Sequence, residues 1–500
     1  MCKNTKKSPY TIFFVFLHPE KQTNNMKKTL LLIATLLLAH AASAQLKLRP
    51  DAFPPVAESI DAKALTMATT PAQMANWNRY PTYSTYVTMM QQWATDYPAI
   101  CRLDTIGTSV SGRLILSMEI TANHTDTTLP QFFYSSTMHG DELTGFVMMM
   151  RLIDTLLRGY GNNPQYTTLM NTTLICINPL SNPDGTYNGG DNTVQGARRY
   201  NANNVDLNRN YPNPFATAKD VLQQENIAMI SYFDRHRFRL SANLHGGAEV
   251  MNYPWDTFTS LQNPHPKSAW WIAVCQRFVD TSRTYNSNHF NDTYPCGYTA
   301  GGDWYVIDGG RQDYFNYYYN CLELTMEVST TKMLSTNQLP TYWNFMQHSF
   351  VNYIAEIHGL YGYVSVTASD STLGTVTGSG YYENDSVATL TATPADSCHF
   401  VQWSNGATDN PLQITVAGDT ALTAIFAPDT TGPSVGITAY ETADRIDIRV
   451  QHGCIVVDAQ QQPVHIFDAI GREVEPCVQH PGIYLVKVGN HPARKLLILE

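Results

Sequence analysis

Two kinds of hydrophobic pattern alternate between about residues 77 and 360. Apolar runs of strand length lie at 114–120, 131–135, 172–178 and 239–244. Segments with apolar residues at helical spacing lie at 83–97, 142–158, 221–235 and 268–286, and the first of them places Tyr86, Met89, Met90 and Trp93 on one face. Strands that alternate with helices indicate an α/β fold, so we predict one large domain over residues 77–360 with helices on both faces of a sheet.

The pattern changes after residue 360. Short strands rich in Thr and Val, separated by Gly, Asn and Asp turns, predict a small all-β domain over residues 361–428. Further short strands at 446–450, 464–467, 482–488 and 495–499 predict a second all-β domain over residues 429–500. Residues 45–76 are rich in Ala, Pro and Thr and are interpreted as a linker or a short pro-segment.

The N-terminal region has the pattern of an export signal. Met26-Lys27-Lys28 precedes a short apolar stretch, and Ala42-Ser43-Ala44 follows it. A basic segment, an apolar segment and an A-x-A site are typical of a secretory signal peptide, here residues 26–44. Residues 1–25 are then a mis-called start or a disordered leader, and the mature protein begins near Gln45, outside the reducing cytoplasm.

Composition narrows the classes of partner. Lys and Arg number 32 and Asp and Glu number 42, which gives a net charge of −10 and argues against a nucleic-acid partner. No apolar run reaches the ~18–20 residues of a membrane helix, so we predict no transmembrane segment. Cys275, Cys296 and Cys321 are candidates for one disulfide bond, with the pairing left open.

Three side chains are candidate metal ligands. His139 and Glu142 are three residues apart and follow an apolar strand, a spacing that lets an imidazole and a carboxylate converge on one ion. His245 ends a second apolar strand and precedes two glycines. Two His and one Glu with an open fourth position form the ligand pattern of catalytic zinc. Each residue taken singly is also compatible with an ordinary structural role.

Two further features are candidates for a binding or catalytic role. Asn208-Arg209 offers an amide beside a planar guanidinium, a combination suited to binding a carboxylate. Glu327 closes an apolar strand, where a carboxylate is expected either to face a site or to be a solvated strand end.

In chain order, these segments resemble the zinc metallocarboxypeptidases. The motifs are HGDE, NPDG, DLNRN, LHGG, WY and TME, and the resemblance covers roughly residues 78–360. The stretches 198–212, 241–256 and 309–327 are similar to the regulatory N/E branch, which includes carboxypeptidases D, E, M and N. The resemblance implies the metallocarboxypeptidase fold, with a mixed central sheet and helices on both faces.

The resemblance also implies a role for each matching residue. His139, Glu142 and His245 would bind one zinc ion, with Asp206 behind His139. Glu327 would be the general base and later the proton donor, Arg199 would stabilise the oxyanion, and Tyr305 would close over the bound peptide. Asn208 and Arg209 would hold the terminal carboxylate. Arg198 is adjacent to Arg199, and the spacing to Asn208 favours Arg199.

The side-chain pocket is expected to favour basic residues. Asp256 lies 11 residues after His245, where the basic-specific enzymes carry the aspartate of this pocket, and Gln312 matches a second pocket position. The alternative is that Asp256 is a solvated turn residue. Arg311 departs from the apolar residue expected beside Gln312, which leaves the preference open.

The C-terminal region departs from the N/E branch. TLTATP, FVQWSNG and TALTAIFA resemble a bacterial extracellular β-repeat related to internalin-type repeats. Residues 466–472 and 481–488 resemble a type IX secretion sorting domain, with an ordinary adhesive β-module as the alternative. Export through the periplasm and across the outer membrane is therefore expected, to the medium or the cell surface, with the secretion machinery as partner.

The predicted function is a secreted zinc carboxypeptidase that acts on the C-termini of peptides or proteins. Two alternatives remain at this point. One is a cell-wall-peptide hydrolase on the same fold, and the other is a surface binding protein whose peptidase fold is catalytically idle.

Overall fold

The computed structural model describes residues 65–215 and 221–429 and, beyond them, the segments 447–451, 454–458, 462–477, 482–490 and 493–498. The chain divides into two compact units, and the boundary along the sequence lies between Ala427 and Pro428. The predicted leader, the predicted signal peptide and residues 45–64 of the predicted linker lie outside the described residues.

Strands occur in both units. The strands are β1 (Met67–Ala68), β2 (Tyr80–Pro81), β3 (Cys101–Thr108), β4 (Leu114–Ile120), β5 (Gln131–Ser136), β6 (Leu174–Asn178), β7 (Phe238–His245), β8 (Ala248–Tyr253), β9 (Tyr298–Ala300), β10 (Leu322–Ser329), β11 (Tyr361–Ala368), β12 (Gly374–Thr377), β13 (Gly380–Glu383), β14 (Val387–Pro394), β15 (Cys398–Trp403), β16 (Leu412–Thr415), β17 (Thr420–Pro428), β18 (Ile448–Gln451), β19 (Cys454–Val457), β20 (Val464–Asp468), β21 (Gly482–Val488) and β22 (Arg494–Ile498).

Among the described residues, helices occur only in the first unit. They are α1 (Tyr83–Asp96), α2 (Thr144–Gly159), α3 (Pro164–Thr172), α4 (Pro183–Thr186), α5 (Gln224–Asp234), α6 (Ser268–Arg283), α7 (Gly301–Trp304), α8 (Arg311–Tyr318) and α9 (Leu339–Ala355), with 3₁₀ turns at Pro71–Met74, Leu207–Arg209 and Glu356–Leu360.

An eight-stranded mixed sheet organises the first unit, in the order β3-β4-β6-β5-β7-β10-β8-β9. Strands β6, β5, β7 and β10 are parallel neighbours. The β3–β4, β4–β6 and β10–β8 pairs are antiparallel, and β9 pairs in parallel with β8 at the far edge. The carboxyl ends of β5, β7 and β10 therefore share one edge, where α/β sheets place their ligands.

Apolar cores cover both faces of this sheet. One face packs against α1, α2, α6 and α9, and Tyr86, Met90 and Trp93 of α1 are buried there, as the helical spacing predicts. The other face packs against α5 and α8, with Phe133, Phe233 and Phe315 in its centre. The predicted mixed α/β sheet with helices on both faces is confirmed.

The N-terminal edge of the domain differs from the composition-based interpretation. Residues 65–76, which composition assigns to the linker, contain β1, which pairs in parallel with β2. Ala68 and Met74 are buried in the core that covers α1. Small and polar residues suffice here because β1 is a short strand that buries one methyl group. Composition therefore does not mark the boundary between the linker and the domain.

Residues 361–428 form the first small all-β domain. Its two sheets have the orders β13-β11-β17-β15 and β12-β14-β16 and enclose Leu390 and Trp403. This domain contacts the large sheet: Arg239 at the start of β7 donates to Glu383 on β13 at 2.9 Å, and the Tyr381 N–H donates to Thr128 at 3.1 Å. Arg239 is only 8% exposed, so Glu383 supplies a charged partner for a buried guanidinium.

The second unit is also all-β. Strands β18–β19 and β20–β21–β22 form two small sheets around Ile455, Ile466 and Tyr484. The two all-β domains that follow the large sheet are thus as predicted. A disulfide joins Cys454 and Cys477. The expected disulfide among Cys275, Cys296 and Cys321 is wrong: all three are free thiols, and Cys275 and Cys321 are buried in separate cores.

In the part of the chain that the structure describes, no helix combines the length and the apolarity that a bilayer crossing needs.

Candidate active site

The candidate metal ligands meet at the carboxyl edge of the sheet. His139 and Glu142 lie in the connection between β5 and α2, and His245 is the last residue of β7. Glu327 on β10 pairs in register with His245. The parallel arrangement of β5, β7 and β10 thus brings together residues that are more than 100 positions apart in the sequence.

Three ligand atoms converge on one point. His139 Nδ1 and His245 Nδ1 are 3.0 Å apart, and Glu142 Oε2 lies 3.0 Å from the first and 2.8 Å from the second. Tetrahedral zinc ligands, at about 2.0–2.2 Å from the ion, lie about 3.3–3.6 Å from one another, so a small expansion accommodates the ion. His139, Glu142 and His245 are all buried.

Groups behind the two imidazoles fix their orientation. Asp206 Oδ1 lies 3.1 Å from His139 Nε2, and Asn243 Oδ1 lies 2.6 Å from His245 Nε2. With each Nε2–H donated to an oxygen, each neutral ring turns a bare Nδ1 lone pair toward the same point. Three acceptor atoms that face one another without a shared proton need a cation, so the residues present fit zinc.

Burial and charge prepare these groups for a cation. Burial lowers the pKa of His245 to about 4, which keeps the ring neutral at ordinary pH. Burial alone would raise the pKa of Glu142, but its interactions with His139 and His245 hold that pKa well below its ordinary value. A neutral imidazole and an ionised carboxylate are the forms that bind metal.

Arg199 lies beside the metal ligands. Its Nε donates to Asp206 Oδ2 at 2.8 Å, and its Nη1 lies 3.2 Å from His139 Nδ1. Arg198 points away, and its Nη2 donates to the Asn201 carbonyl at 2.7 Å. The structure therefore brings Arg199, and not Arg198, into the site.

Asn208 and Arg209 form a 3₁₀ turn at the wall of the cavity. Asn208 Oδ1 accepts the Arg311 N–H at 2.9 Å, so its NH₂ group is left to donate elsewhere. Arg209 Nη1 donates to the Asn208 carbonyl at 2.8 Å, which positions the guanidinium beside that amide. The two side chains present N–H donors together, the geometry that a terminal carboxylate requires.

Nine of the ten predicted site residues line one cavity of about 520 Å³; they are His139, Glu142, Arg199, Asn208, Arg209, His245, Asp256, Tyr305 and Glu327. Burial and the charge of Glu142 raise the pKa of Glu327 well above its ordinary value. Burial and Glu327 also raise the pKa of Tyr305. A cation at the ligands would offset the Glu142 charge and favour ionised Glu327.

The tenth residue, Gln312, touches the cavity through Asp256. Gln312 Nε2 donates to Asp256 Oδ1 at 2.9 Å. Asp256 is 3% exposed, and a side chain on Gly301 would overlap its Oδ1, so the carboxylate lies at the floor of a narrow recess. The solvated-turn alternative for Asp256 is wrong, because α7 and α8 cover the residue.

Arg311 does not enter this recess. Its Nε donates to Glu323 Oε1 at 2.6 Å, and its guanidinium carbon lies 5.2 Å from the centre of the Phe315 ring. The side chain is 1% exposed and belongs to the aromatic core behind the site. The departure from an apolar residue at this position therefore leaves the Asp256 recess unblocked.

Sequence reasoning did not single out Asn243 and Lys332. Asn243 lies two residues before His245, and the period of a strand places both on one face, a signal that was available in the sequence. Lys332 Nζ lies 3.0 Å from Asp141 Oδ2 and 3.3 Å from Glu142 Oε1. No local pattern marks Lys332, because the loop after β10 returns it to the site.

Comparison with known proteins agrees with this geometry. The sequence profile of the zinc carboxypeptidase family matches residues 86–349, and that of the divergent InlB B-repeat domain matches residues 364–430. Mouse carboxypeptidase D is 36% identical over 292 residues, which are 55% of this chain and 21% of that protein. The catalytic chain of rat carboxypeptidase N is 30% identical over 325 residues, which are 57% of this chain and 71% of that protein.

A solved structure shows the same fold. The crystal structure of thrombin activatable fibrinolysis inhibitor matches 58% of this chain and 77% of its own, with a TM-score of 0.50 and 14% sequence identity. The chain spans only about a fifth of mouse carboxypeptidase D, as the 21% coverage of that protein shows. From its family profile, its relatives of the N/E type and its His-Glu-His centre, the chain belongs to the zinc carboxypeptidase family, with an InlB-type β-repeat attached.

Proposed function

We propose that this protein is an exported zinc carboxypeptidase that removes single residues, preferably Lys or Arg, from the C-termini of peptides or proteins. The observation that carries the proposal is the position of the His139–Glu142–His245 centre in one cavity with Asn208 and Arg209. A metal centre beside a carboxylate clamp limits cleavage to the last peptide bond of a chain.

His139, Glu142 and His245 would hold the zinc ion, which when bound supplies a Lewis acid that polarises a carbonyl and acidifies water. The Glu327 carboxylate would accept a proton from the attacking water and later pass it to the leaving amine. Its burial favours this role, because a carboxylate with a raised pKa both takes and returns a proton near neutral pH.

Arg199 would stabilise the charge that develops on the carbonyl oxygen. The charges of Glu142 and Asp206 raise the pKa of Arg199 although burial opposes this, so the guanidinium stays charged. A fixed cation aimed at a developing oxyanion is among the largest electrostatic contributions to such reactions. Tyr305 lines the same cavity and would cover the bound peptide.

Asn208 and Arg209 would bind the substrate's terminal carboxylate. The Arg311 N–H already occupies Asn208 Oδ1, so only the NH₂ group of Asn208 is free to face a ligand. A group that can only donate there selects an acceptor such as a carboxylate and disfavours a terminal amide.

The Asp256 recess supports the preference for basic residues. Burial raises the pKa of Asp256 well above its ordinary value, and the nearby charge of Asp313 contributes in the same direction. A Lys or Arg side chain would supply the missing positive charge. A neutral side chain would leave a buried carboxylate uncompensated, at a cost of roughly 3–5 kcal/mol.

Export is supported by the sequence and by one covalent bond. Residues 26–44 have the signal-peptide pattern, and residues 466–472 and 481–488 resemble a type IX sorting domain. The Cys454–Cys477 disulfide agrees with an oxidising compartment, where such bonds persist.

A peptide series with the zinc-loaded full chain tests the proposal. The substrates share one sequence and end in Arg, Phe or Arg-amide. We expect release of free Arg at the highest kcat/KM, slower release of Phe and no cleavage of the amide. Equal cleavage of the amide would favour the cell-wall-peptide hydrolase, and zinc binding without any cleavage would favour an idle binding protein.

A further inference from the structure

A chain of hydrogen bonds runs from His245 into the core behind the site. Asn243 Oδ1 lies 2.6 Å from His245 Nε2, and Asn243 Nδ2 donates to Glu323 Oε1 at 3.0 Å. The same NH₂ group donates to the Leu324 carbonyl and to Thr325 Oγ1, both at 3.3 Å. Because it faces these acceptors, the carbonyl oxygen of Asn243 must face His245. His245 then keeps its proton on Nε2 and presents the bare Nδ1 to His139 and Glu142.

Glu323 is the nearest of the three acceptors of the Asn243 NH₂ group and the one that carries a charge. Its Oε1 accepts from Asn243 and from Arg311 Nε, and its Oε2 accepts from Ser241 Oγ at 2.7 Å. The side chain has no exposed surface. An ionised carboxylate only accepts hydrogen bonds, so it cannot turn the Asn243 amide round, whereas a neutral amide at this position could.

Arg311 is the ion-pair partner of this buried carboxylate. Its Nε and Nη2 lie 2.6 and 3.3 Å from the two Glu323 oxygens. The rings of Phe133, Phe233 and Phe315 surround its guanidinium carbon at 5.4, 5.8 and 5.2 Å. Water is excluded from Glu323 by this packing, so Arg311 supplies the compensating charge that an apolar residue at position 311 would lack.

Arg311 also touches the carboxylate clamp. Its backbone N–H donates to Asn208 Oδ1 at 2.9 Å, which turns the Asn208 NH₂ group away from α8. Arg311, the first residue of α8, thus acts on both parts of the site. Its side chain contacts Glu323 behind the metal centre, and its main chain contacts Asn208 of the carboxylate clamp.

We propose that Arg311 is a positioning residue: by holding the Glu323 carboxylate it fixes the Asn243 amide, and through it the orientation and tautomer of His245 at the metal centre. The inference rests on the proposed zinc site and deepens it, because it assigns the ligand geometry to an ion pair in the core. Asn243 and Glu323 are positioning residues in the same sense.

Three variants of the full chain test this chain of contacts. Asn243→Leu removes the acceptor behind His245. Arg311→Met combined with Glu323→Gln removes both charges at nearly constant volume and leaves an amide that can turn round. Ser241→Ala is the matched control, since Ser241 also donates to Glu323 but does not contact Asn243 or His245 in the described bonds.

The main measurement is zinc affinity by competition with a chelator. Loss of a group that orients a metal ligand typically costs 10–100-fold in metal affinity. We expect this loss in Asn243→Leu and in the double variant, together with an altered visible spectrum of the cobalt-substituted proteins. Ser241→Ala should stay within about two-fold of the wild type. Wild-type zinc affinity and cobalt spectra in both test variants would overturn the proposal.

A measurement on the wild type keeps the test decisive if the variants do not fold. Nitrogen-15 NMR of the metal-free protein should show His245 protonated on Nε2, and protonation on Nδ1 would overturn the proposal. Neither readout needs enzymatic activity. A wild type that binds zinc but cleaves no peptide would therefore contradict the proposed function alone.

Discussion

Gln312 joins Asp256 to the central sheet with both ends of its amide. Its Nε2 donates to Asp256 Oδ1 at 2.9 Å, and its Oε1 accepts the N–H of Thr325 on β10 at 2.7 Å. Because a backbone donor fixes the oxygen end, the NH₂ end must point at the carboxylate. Asp256 is thus held in place by a neutral partner, and its charge remains available to a ligand.

Replacing Asp256 by Asn should remove the preference for basic residues. The buried carboxylate distinguishes a cationic from a neutral side chain by roughly 3–5 kcal/mol. We expect kcat/KM for an Arg-terminated peptide to fall about 10²–10³-fold in Asp256→Asn, while that for a Phe-terminated peptide changes little. Asp234→Asn, on the surface beside Tyr319, is the control. Equal losses for both peptides would show that Asp256 only supports the fold.

The affinity for basic substrates should depend on pH. Burial and Asp313 raise the pKa of Asp256, and a substrate cation binds the ionised form. Binding of an Arg-terminated peptide should therefore weaken as pH falls through this raised pKa, and KM should decrease as pH rises. The Phe-terminated peptide lacks the cation and should not show this trend, so KM profiles that run in parallel would contradict the assignment.

Replacing Glu327 by Gln should separate metal binding from turnover. Glu327 is not one of the three ligands, so zinc content should remain at one ion per chain. Loss of a general base typically lowers the rate about 10²–10⁴-fold. Metal analysis and kcat on one preparation check both expectations, and a variant with wild-type kcat would exclude Glu327 as the base.

Glu249 should make the fold less stable as pH rises. Burial raises its pKa to about 7, so the folded state holds a proton that the unfolded chain releases near its ordinary value of 4.5. The free energy of unfolding should therefore fall between about pH 4.5 and 7, by about 3 kcal/mol from this group. Urea unfolding of wild type and Glu249→Gln across this range checks it.

The contacts of Glu249 make Gln a suitable replacement for the comparison with the wild type. Its carboxylate accepts from the Phe290 N–H and the Tyr342 hydroxyl, both at 3.1 Å, and Gln can still accept through one oxygen. The variant should show a flatter pH dependence than the wild type. An identical slope in both proteins would mean that other groups cause the change.

Local patterns in the sequence sufficed for five neighbouring strands of the sheet, β4, β6, β5, β7 and β10, and for the candidate ligand residues. The apolar run that precedes His139 and the one that ends in His245 predict two strands, and parallel strands bring their carboxyl ends to one edge. The segment 114–120 coincides with β4, and α1 differs from the predicted helix by one residue. Each of these strands and helices depends on a pattern formed by residues close in sequence.

Contacts between distant elements could not be predicted in this way. β3 carries Arg102 and Asp104 among its apolar residues and does not follow an apolar pattern, because at the sheet edge its two faces are only partly covered. The partner of Arg311 is Glu323, on a different element. Whether Arg311 enters the recess or the core depends on how α8 packs against β10, and no periodicity in either segment reports that packing.

The ion pair between Arg239 and Glu383 ties the peptidase domain to the β-repeat domain that follows it. A chain cut after Leu360 would leave this guanidinium at the start of β7 without its carboxylate, on the same strand that ends in His245. Truncated forms of the peptidase should accordingly be less soluble or less stable than the joined pair.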